Sequence, residues 1–367
     1  MWACRGALTR GRAPRDPMEE RWMTGKTPKK EARANLGLVI KFLQVVLYLP
    51  IQVAFIPLAM VGLIAAILRE VRTSRRLGVS FTAVLALQYR WIMHYFDTRP
   101  DSFSVAFTKK FPCESHFGLW STLGGLIVAQ RLFGFTTKLG RVGEPGTETL
   151  FSTPGRRVLM FDAIVEKHVD GVAQIVIPGA GFDLVALHFT NGKSVKVFEL
   201  DQTETLRIKV ETLKKANIAH DWITYVPVDY SRESWVEKLV TAGFDKTKKT
   251  LFLWQSVSLF LKPDAVKKTL RDMAGLCADG SIIAQDFYSR AFVSGQTSRT
   301  AKSASKMIER MGEPWRFGLE MSSDPESAIR SFLADCGLRM TRCVQFGKKL
   351  DVEPFYCVVE AEKLDSG

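Results

Sequence analysis

The residues best suited to ligand chemistry stand at the ends of four short apolar runs in the second half of the chain. They are Gly179, Ala180, Gly181, Glu199, Asp201, Asp229, Tyr230 and Gln255. Glycines let a backbone approach a ligand closely, and a carboxylate at the end of a strand can accept hydrogen bonds from ribose hydroxyls. Because the carboxyl ends of parallel strands form the ligand site of an open α/β sheet, we expect these residues to converge.

The residue types favour an adenosine that carries no phosphates. A carboxylate at Glu199 or Asp201 disfavours a phosphorylated ribose, while Asp229 can accept from the adenine amino group and the Tyr230 ring can pack on the base. The first turn, GAGFDLVAL, lacks the third glycine of GxGxxG, so it is poorly suited to bind a pyrophosphate. The sequence also contains no GxxxxGK[ST] loop and no GxSxG elbow.

The elements that must position these residues alternate between strand-like and helical segments. We predict five strands, at 173–181, 195–201, 222–229, 250–257 and 280–287. Helices are predicted after the second strand, from Ser231 as a cap, and over about 263–277. This alternation predicts a mostly parallel sheet covered on both faces. Segments 338–347 and 354–363 read as a closing antiparallel hairpin, which is the layout of the class I methyltransferase (Rossmann-like) fold.

In their order and intervals, these motifs resemble those of the leucine carboxyl methyltransferase family of S-adenosylmethionine-dependent enzymes. The motifs are RVLMFD (157–162), VIPGAGFD (176–183), VFELDQTETLRIK (197–209), VPVDYS (226–231) and LWQSVSLFLKPDAV (253–266). The resemblance covers roughly 82–360 and implies S-adenosyl-L-methionine as the cofactor. It further implies that Arg157 pairs with the cofactor carboxylate, that Gly179 and Gly181 line the cofactor, and that Glu199 or Asp201 holds the ribose. Asp229 with Tyr230 would meet the adenine.

Two departures from the family pattern concern the chemistry. The family usually has a glutamate where Gln255 stands, and the arginine that commonly follows the GAGxD turn is absent, with His188 and Phe189 near its place. Catalytic residues are therefore not assigned. Asp286 and His188 are the candidates for a general base, and a structural role is the expectation for both.

An apolar segment precedes this domain. From Phe42 to Leu68 the chain has 27 residues without a charge, and a helix needs roughly 20 to span a membrane. Pro50 and Pro57 each tend to kink a helix. Two topologies remain open: a single tilted, kinked spanning helix, or a re-entrant wedge that leaves both flanks in the cytosol.

The net charge of +13 is concentrated around that segment. Residues 1–35 carry nine basic and four acidic side chains, and the run 69–76 adds four basic residues against Glu70. This placement favours anionic lipid headgroups over nucleic acid. We expect a basic, disordered tail (1–35), a membrane segment (36–77), a helical lid or substrate region (78–150) and a cofactor-binding methyltransferase domain (151–367).

The six cysteines form no CxxC pair and have no ligand-like spacing with the five histidines. Neither a metal site nor a disulfide framework is expected. Scattered reduced thiols are typical of a cytosolic domain. The chain is therefore predicted to be membrane-associated, with its catalytic domain facing the cytosol.

The leading functional hypothesis is methylation of an oxygen, in a carboxylate or a hydroxyl, of a lipophilic or membrane-associated small molecule. One alternative is a protein carboxyl methyltransferase that acts on a chain terminus. Another is a non-catalytic cofactor-binding or scaffold protein at a membrane. The reason to consider it is that Gln255 departs from the glutamate that the family usually has.

Overall fold

The computed structural model describes residues 38–135, 137, 142–150, 152–230, 232–321, 324–347 and 355–364. The basic tail predicted at 1–35 therefore lies outside the described residues. The N-terminal part of the described chain consists of four helices: α1 (Leu38–Leu77), α2 (Phe81–Tyr95), α3 (Ser102–Lys110) and α4 (His116–Phe133).

Helix α1 contains the predicted membrane segment. It is one continuous helix of 40 residues, with Pro50 and Pro57 inside it. A re-entrant wedge would need a turn near the prolines, and residues 38–77 contain none. The wedge with two short limbs is therefore wrong for this structure. Among the described residues, α1 alone is long and apolar enough to cross a membrane, over Leu43–Thr73.

The rest of the chain is built around a seven-stranded sheet. Its strands are β1 (Gln174–Pro178), β2 (Lys196–Asp201), β3 (Ile223–Pro227), β4 (Thr250–Trp254), β5 (Ile282–Tyr288), β6 (Leu338–Phe346) and β7 (Tyr356–Lys363). Their order in space is β3-β2-β1-β4-β5-β7-β6. Strands β1 to β5 are parallel, and β7 runs antiparallel to both β5 and β6. The predicted parallel sheet with a closing antiparallel hairpin is confirmed.

Both faces of the sheet are buried, which explains the continuous apolar strands. All five residues of β1 are buried. Since successive side chains point to opposite faces, Ile175 and Ile177 join one core cluster while Val176 joins the other. A parallel sheet covered by helices on both faces needs such uninterrupted apolar runs.

The covering helices are α5 (Thr153–His168), α6 (Val185–Phe189), α7 (Thr203–Lys215), α8 (Trp235–Thr241), α9 (Pro263–Leu276), α10 (Arg290–Val293), α11 (Arg299–Arg310) and α12 (Pro325–Ala334). The helix predicted from Ser231 begins later. Ser234 is its N-cap and accepts a hydrogen bond from the backbone N–H of Glu237, while Ser231 lies outside the described residues.

Candidate functional site

The turn after β1 has a backbone that side chains cannot follow. Gly179 has φ +72° and Gly181 has φ +49°, values in the left-handed region that glycine tolerates best. A Cβ on Gly179 would lie 2.5 Å from Cγ2 of Val257, and one on Gly181 would lie 3.4 Å from Cβ of Ala83. The turn is therefore closely packed between helix α2 and the loop after β4.

The carboxylate of Asp201, the last residue of β2, holds this turn in place. Its Oδ2 accepts from the backbone N–H of Gly181 at 2.8 Å, and its Oδ1 accepts from that of Gln202 at 2.7 Å. Burial raises the pKa of Asp201, although both backbone hydrogen bonds act in the opposite direction. The side chain stays partly exposed at the carboxyl end of the sheet, where a ligand can reach it.

Glu199 lies two residues before Asp201, on the same face of β2. Its predicted role as a ribose-binding carboxylate has to be revised. Its side chain is 1% exposed and forms an ion pair with Lys209 of α7 at 2.6 Å. Lys209 also donates to the backbone oxygen of Asp183 at 2.5 Å. Glu199 therefore holds Lys209 against the turn after β1. Asp201 is the carboxylate of this strand that a ligand can contact.

Tyr230 and Asp229 close the site on the β3 side. The backbone N–H of Gly179 donates to the Tyr230 hydroxyl at 3.2 Å, so the phenol lies beside the glycine turn. The Tyr230 side chain is 42% exposed. Asp229 is also exposed, with its carboxylate 3.5 Å from Arg232. Together they present an aromatic surface and a carboxylate next to Asp201.

Arg157 lies at the opposite side of the turn. It projects from α5, is buried, and donates to the hydroxyl of Ser256. When the Gln255 amide is oriented to suit its neighbours, its oxygen accepts from Nε of Arg157 at 3.1 Å and its nitrogen donates to Oδ2 of Asp183 at 3.2 Å. Gln255 thus bridges a buried cation and a partly exposed carboxylate.

Ser256 follows Gln255 in a conformation that is uncommon for a residue with a side chain, with φ +56°. The carboxylate of Asp286 fixes it, because the Ser256 N–H donates to Oδ1 at 2.9 Å and to Oδ2 at 3.0 Å. The hydroxyl of Tyr356 also donates to Oδ2, at 2.7 Å. Burial raises the pKa of Asp286. Asp286 is therefore a positioning residue, as the sequence led us to expect.

Sequence reasoning missed Arg90. This α2 residue is 2% exposed, and its Nη2 lies 2.8 and 2.9 Å from the two carboxylate oxygens of Asp183. Burial alone would raise the pKa of Asp183, but Arg90 holds it below its usual value. A usable signal was present, since Arg90 is the one Lys, Arg, Asp or Glu in the otherwise apolar stretch 81–96.

His188, the other candidate base, contacts a group of buried charges that is joined to the site through Arg90, whose Nη1 lies 3.7 Å from Oδ2 of Asp101. Its Nε2 is 2.8 Å from Oδ1 of Asp101, which also pairs with Arg99. Burial would raise the pKa of Asp101, but His188 and Arg99 hold it well below its usual range. This contact is compatible with the structural role that the sequence favours for His188.

At the carboxyl ends of the strands, the glycine turn lies between two groups of side chains. On one side are the carboxylates of Asp201 and Asp229, which can accept hydrogen bonds from hydroxyl groups. On the other side are the buried guanidinium of Arg157 and the amide of Gln255. Such a site suits an elongated, phosphate-free ligand with a sugar and base at one end and a carboxylate with an amine at the other. The comparisons with known proteins bear directly on this point. Residues 134–274 match the leucine carboxyl methyltransferase family.

This match confirms the resemblance predicted from the motifs, and it covers the segment that supplies most of the site. A relative from Mycobacterium ulcerans named "Putative S-adenosyl-L-methionine-dependent methyltransferase" is 29% identical over 180 residues, which are 48% of this chain and 56% of that protein. A similarly named protein of Streptomyces coelicolor is 28% identical over 211 residues, 56% of this chain and 70% of the other. The chain spans about half the length of the first curated relatives that it matches.

Among solved structures, magnesium protoporphyrin IX methyltransferase from Synechocystis, with bound SAH, aligns over 61% of this chain and 91% of that chain. The identity is 12% and the TM-score 0.38. Likeness at this level carries no functional argument, and the fold assignment depends on the strand order of the chain itself.

Proposed function

We propose that the protein is an S-adenosylmethionine-dependent methyltransferase that methylates an oxygen of a lipophilic or membrane-associated small molecule. The single observation that carries this proposal is the site around Gly179–Gly181, with Asp201 and Tyr230 on one side and Arg157 with Gln255 on the other. The match of residues 134–274 to the family supports it.

The described residues fit this cofactor. A Cβ on Gly179 would lie 2.5 Å from Cγ2 of Val257, so this position keeps a bare backbone that a ligand would approach closely. Asp201 would accept from the ribose hydroxyls, while Asp229 and Tyr230 would meet the adenine. Arg157 would pair with the carboxylate, with Gln255 beside the amine. Gly179, Ala180 and Gly181 would line the cofactor.

When bound, the cofactor supplies an activated methyl group on a sulfonium. The protein's own contribution is then to align the acceptor and to exclude water. Arg157, Gln255 and Asp183 form a hydrogen-bonded row that would fix one end of the cofactor without any proton transfer.

A carboxylate is the favoured acceptor within this proposal. A hydroxyl acceptor needs a general base, whereas a carboxylate does not. The two candidate bases are both engaged: Asp286 accepts from Ser256 and Tyr356, and His188 contacts Asp101. A carboxylate acceptor requires neither of them to take up a proton.

A membrane location for the acceptor is supported by α1 and by the charge next to it. Most of the exposed large apolar side chains of the described residues lie on this helix. The basic residues that flank it would attract anionic headgroups. We propose that α1 attaches the enzyme to a membrane, with the catalytic domain facing the cytosol, and that residues 78–150 form a helical lid or substrate region.

The test is transfer of a radiolabelled methyl group from S-adenosylmethionine into a membrane extract that is then separated into lipid and protein fractions. We expect label in the lipid fraction, in a bond that mild alkali cleaves, as a methyl ester requires. Arg157→Gln should abolish it. Binding of the cofactor without any transfer would favour the scaffold alternative and contradict an enzymatic function.

A second candidate is a protein carboxyl methyltransferase. The description of the matched family, leucine carboxyl methyltransferase, favours it, because the acceptor chemistry would be the same. In the same experiment this candidate predicts alkali-labile label in the protein fraction and none in the lipid fraction.

A further inference from the structure

In the part of the chain that the structure describes, helix α1 touches the rest of the protein along one narrow seam. Buried positions on it recur at Gln44, Gly62, Ala66 and Glu70, the spacing of one helical stripe. Around the remaining circumference its large apolar side chains are exposed. These are Leu43, Val45, Val46, Leu47, Leu49, Val53, Ile56, Leu58, Met60, Val61, Leu63, Ile64, Ile67 and Leu68.

The seam is formed with helix α4 and depends on small residues. A Cβ on Gly118 would lie 2.8 Å from Cβ of Ala66, and one on Gly62 would lie 2.3 Å from Cβ of Ser121. Small residues allow two helix backbones to approach this closely. At the other end of the seam, Gln44 Nε2 donates to the backbone oxygen of Phe133 at 2.5 Å.

The two helices are therefore antiparallel and in contact from Gln44 to Ala66. At 1.5 Å per residue this seam is about 33 Å long. That length is close to the full thickness of the hydrocarbon core of a bilayer, roughly 30 Å. Whatever orientation α1 takes in a membrane, α4 must take it too.

The opposite face of α4 packs against helix α2 and so against the rest of the protein. Its Leu119, Leu123 and Ile127 form a buried cluster with Trp91 of α2. Gln130 Nε2 donates to the backbone oxygen of Phe96 at 2.7 Å, which ties the ends of α4 and α2 together. Helix α4 is therefore an integral layer between α1 and the catalytic domain.

Exposed charges flank both ends of this layer. Asp97 and Arg131 are exposed near the Gln44 end. Lys109 and Lys110 are exposed near the other end, where Arg69 Nε donates to the backbone oxygen of Pro112 at 3.1 Å. If α1 crossed the bilayer, α4 and the residues packed on its opposite face would lie in the hydrocarbon with it, and the charges at one end would have to pass through the hydrocarbon to reach the far side. A charged group there is costly.

We infer that α1 lies along the plane of the membrane, embedded in one leaflet as a ridge on the catalytic domain. This inference rests on the proposed membrane attachment. Packed helices are about 8–10 Å apart, so α1 projects by roughly one helix diameter, which is less than the roughly 15 Å depth of one leaflet's hydrocarbon. The basic flanks on both sides of α1 then face the same aqueous compartment, as the positive-inside tendency favours.

Glycosylation mapping tests this topology in the full chain. The sequence contains no Asn-x-Ser/Thr triplet. Ala7→Asn creates one before α1, and Gln296→Asn creates one in the catalytic domain. Each variant is translated in the presence of endoplasmic reticulum microsomes. We expect neither site to be glycosylated, because both would stay in the cytosol. Modification of one site but not the other would show that α1 spans the membrane and would overturn the inference.

A matched pair of substitutions tests whether α4 keeps the helix in this plane. Gly118→Leu, added to the Ala7→Asn chain, would force α1 away from α4. Ala65→Leu adds the same side chain on the exposed face of α1. We expect glycosylation before α1 to appear with Gly118→Leu and not with Ala65→Leu. No change with Gly118→Leu would show that the seam does not set the orientation.

Alkaline carbonate extraction of the same microsomes separates this inference from the proposal on which it rests. If the chain is released by carbonate, the proposed attachment through α1 is wrong. If it stays in the membrane pellet and one site is glycosylated, the attachment stands and the in-plane orientation is wrong.

Discussion

At the scale of single residues, Asp183 is the point where separate parts of the chain meet. It accepts from Arg90 of α2 and from the backbone N–H of Val185 at 2.7 Å. It is also reached by the amide of Gln255. Because Gln255 in turn contacts Arg157, the position of α2 is coupled through side chains to the residue proposed to pair with the cofactor carboxylate.

We predict that Arg90→Gln weakens binding of S-adenosylmethionine about tenfold or more, since Asp183 would lose its buried counter-charge. Arg90→Lys should retain part of the affinity, because it keeps the charge but loses the two-oxygen geometry. Calorimetric titration measures the dissociation constant. Circular dichroism should show that both variants are folded.

The matched control is Arg207→Gln, which removes an exposed arginine paired with Glu204 and Glu211. Exposed ion pairs are screened by solvent and contribute little, so binding should be unchanged. Equal affinity for the parent chain and Arg90→Gln would show that Arg90 is not a positioning residue.

The sequence revealed the strand-end residues of the site but not the residues that brace them. Asp201 and Gly181 could be predicted because each follows a recognisable apolar strand. Arg90 could not be paired with Asp183, since 93 positions separate them and no local pattern reports a contact at that distance. Glu199 and Asp201 were not distinguished because they share one face of β2, and only the position of Lys209 separates their roles.

At the scale of elements, the turn between β1 and α6 must keep a backbone that a side chain would block. We predict that Gly179→Ala destabilises the domain and abolishes cofactor binding. The added Cβ would meet Val257 at 2.5 Å in a left-handed conformation, which costs roughly 1–2 kcal/mol in strain alone. Denaturant unfolding and calorimetry measure the two effects.

Gly192→Ala separates strain from contact. Gly192 has φ +75°, close to the value at Gly179, but nothing lies within 4 Å of its added Cβ. It should show the cost of strain, about 1 kcal/mol, and should bind the cofactor normally. Normal binding by Gly179→Ala would contradict the proposed close approach of the ligand to the turn.

The hairpin strand β7 is tied to α5 and β6 through Glu360, which contacts His168, Lys167 and Arg342. Burial would raise its pKa, but the hydrogen bond with His168 and the charges of Lys167 and Arg342 lower it from 4.5 to about 2. A lowered pKa in the folded state stabilises the protein above pH 4.5, and this stabilisation is lost as the pH falls toward 2. By linkage it is on the order of 3 kcal/mol.

We therefore predict that the free energy of unfolding falls as the pH drops from about 5 toward 2, and that Glu360→Gln reduces this dependence, with the lowered pKa values of Asp101 and Asp183 contributing to what remains. Glu362→Gln, which breaks the more exposed pair with Arg339, should leave the dependence largely in place. Urea unfolding at a series of pH values measures both. Identical slopes for the parent chain and Glu360→Gln would refute this origin of the acid sensitivity.

At the scale of the whole molecule, the mostly parallel sheet with its closing hairpin could be predicted while the packing of α1 could not. Alternating strands and helices with a closing hairpin specify the order of elements along the chain. The orientation of an apolar helix depends instead on what packs against it. That partner, α4, contributes small residues whose role is visible only once Gly118 is seen against Ala66.

The proposed function depends on one property of the site, that the strand ends bind S-adenosylmethionine through Asp201. Calorimetric titration of the full chain with this cofactor, beside Asp201→Ala and Asp201→Asn, tests it most directly. We predict one binding site in the parent chain, with affinity reduced at least tenfold in both variants, because neither retains the carboxylate that accepts from the ribose. A parent chain that shows no binding, or an Asp201→Ala variant that binds equally well, would contradict it.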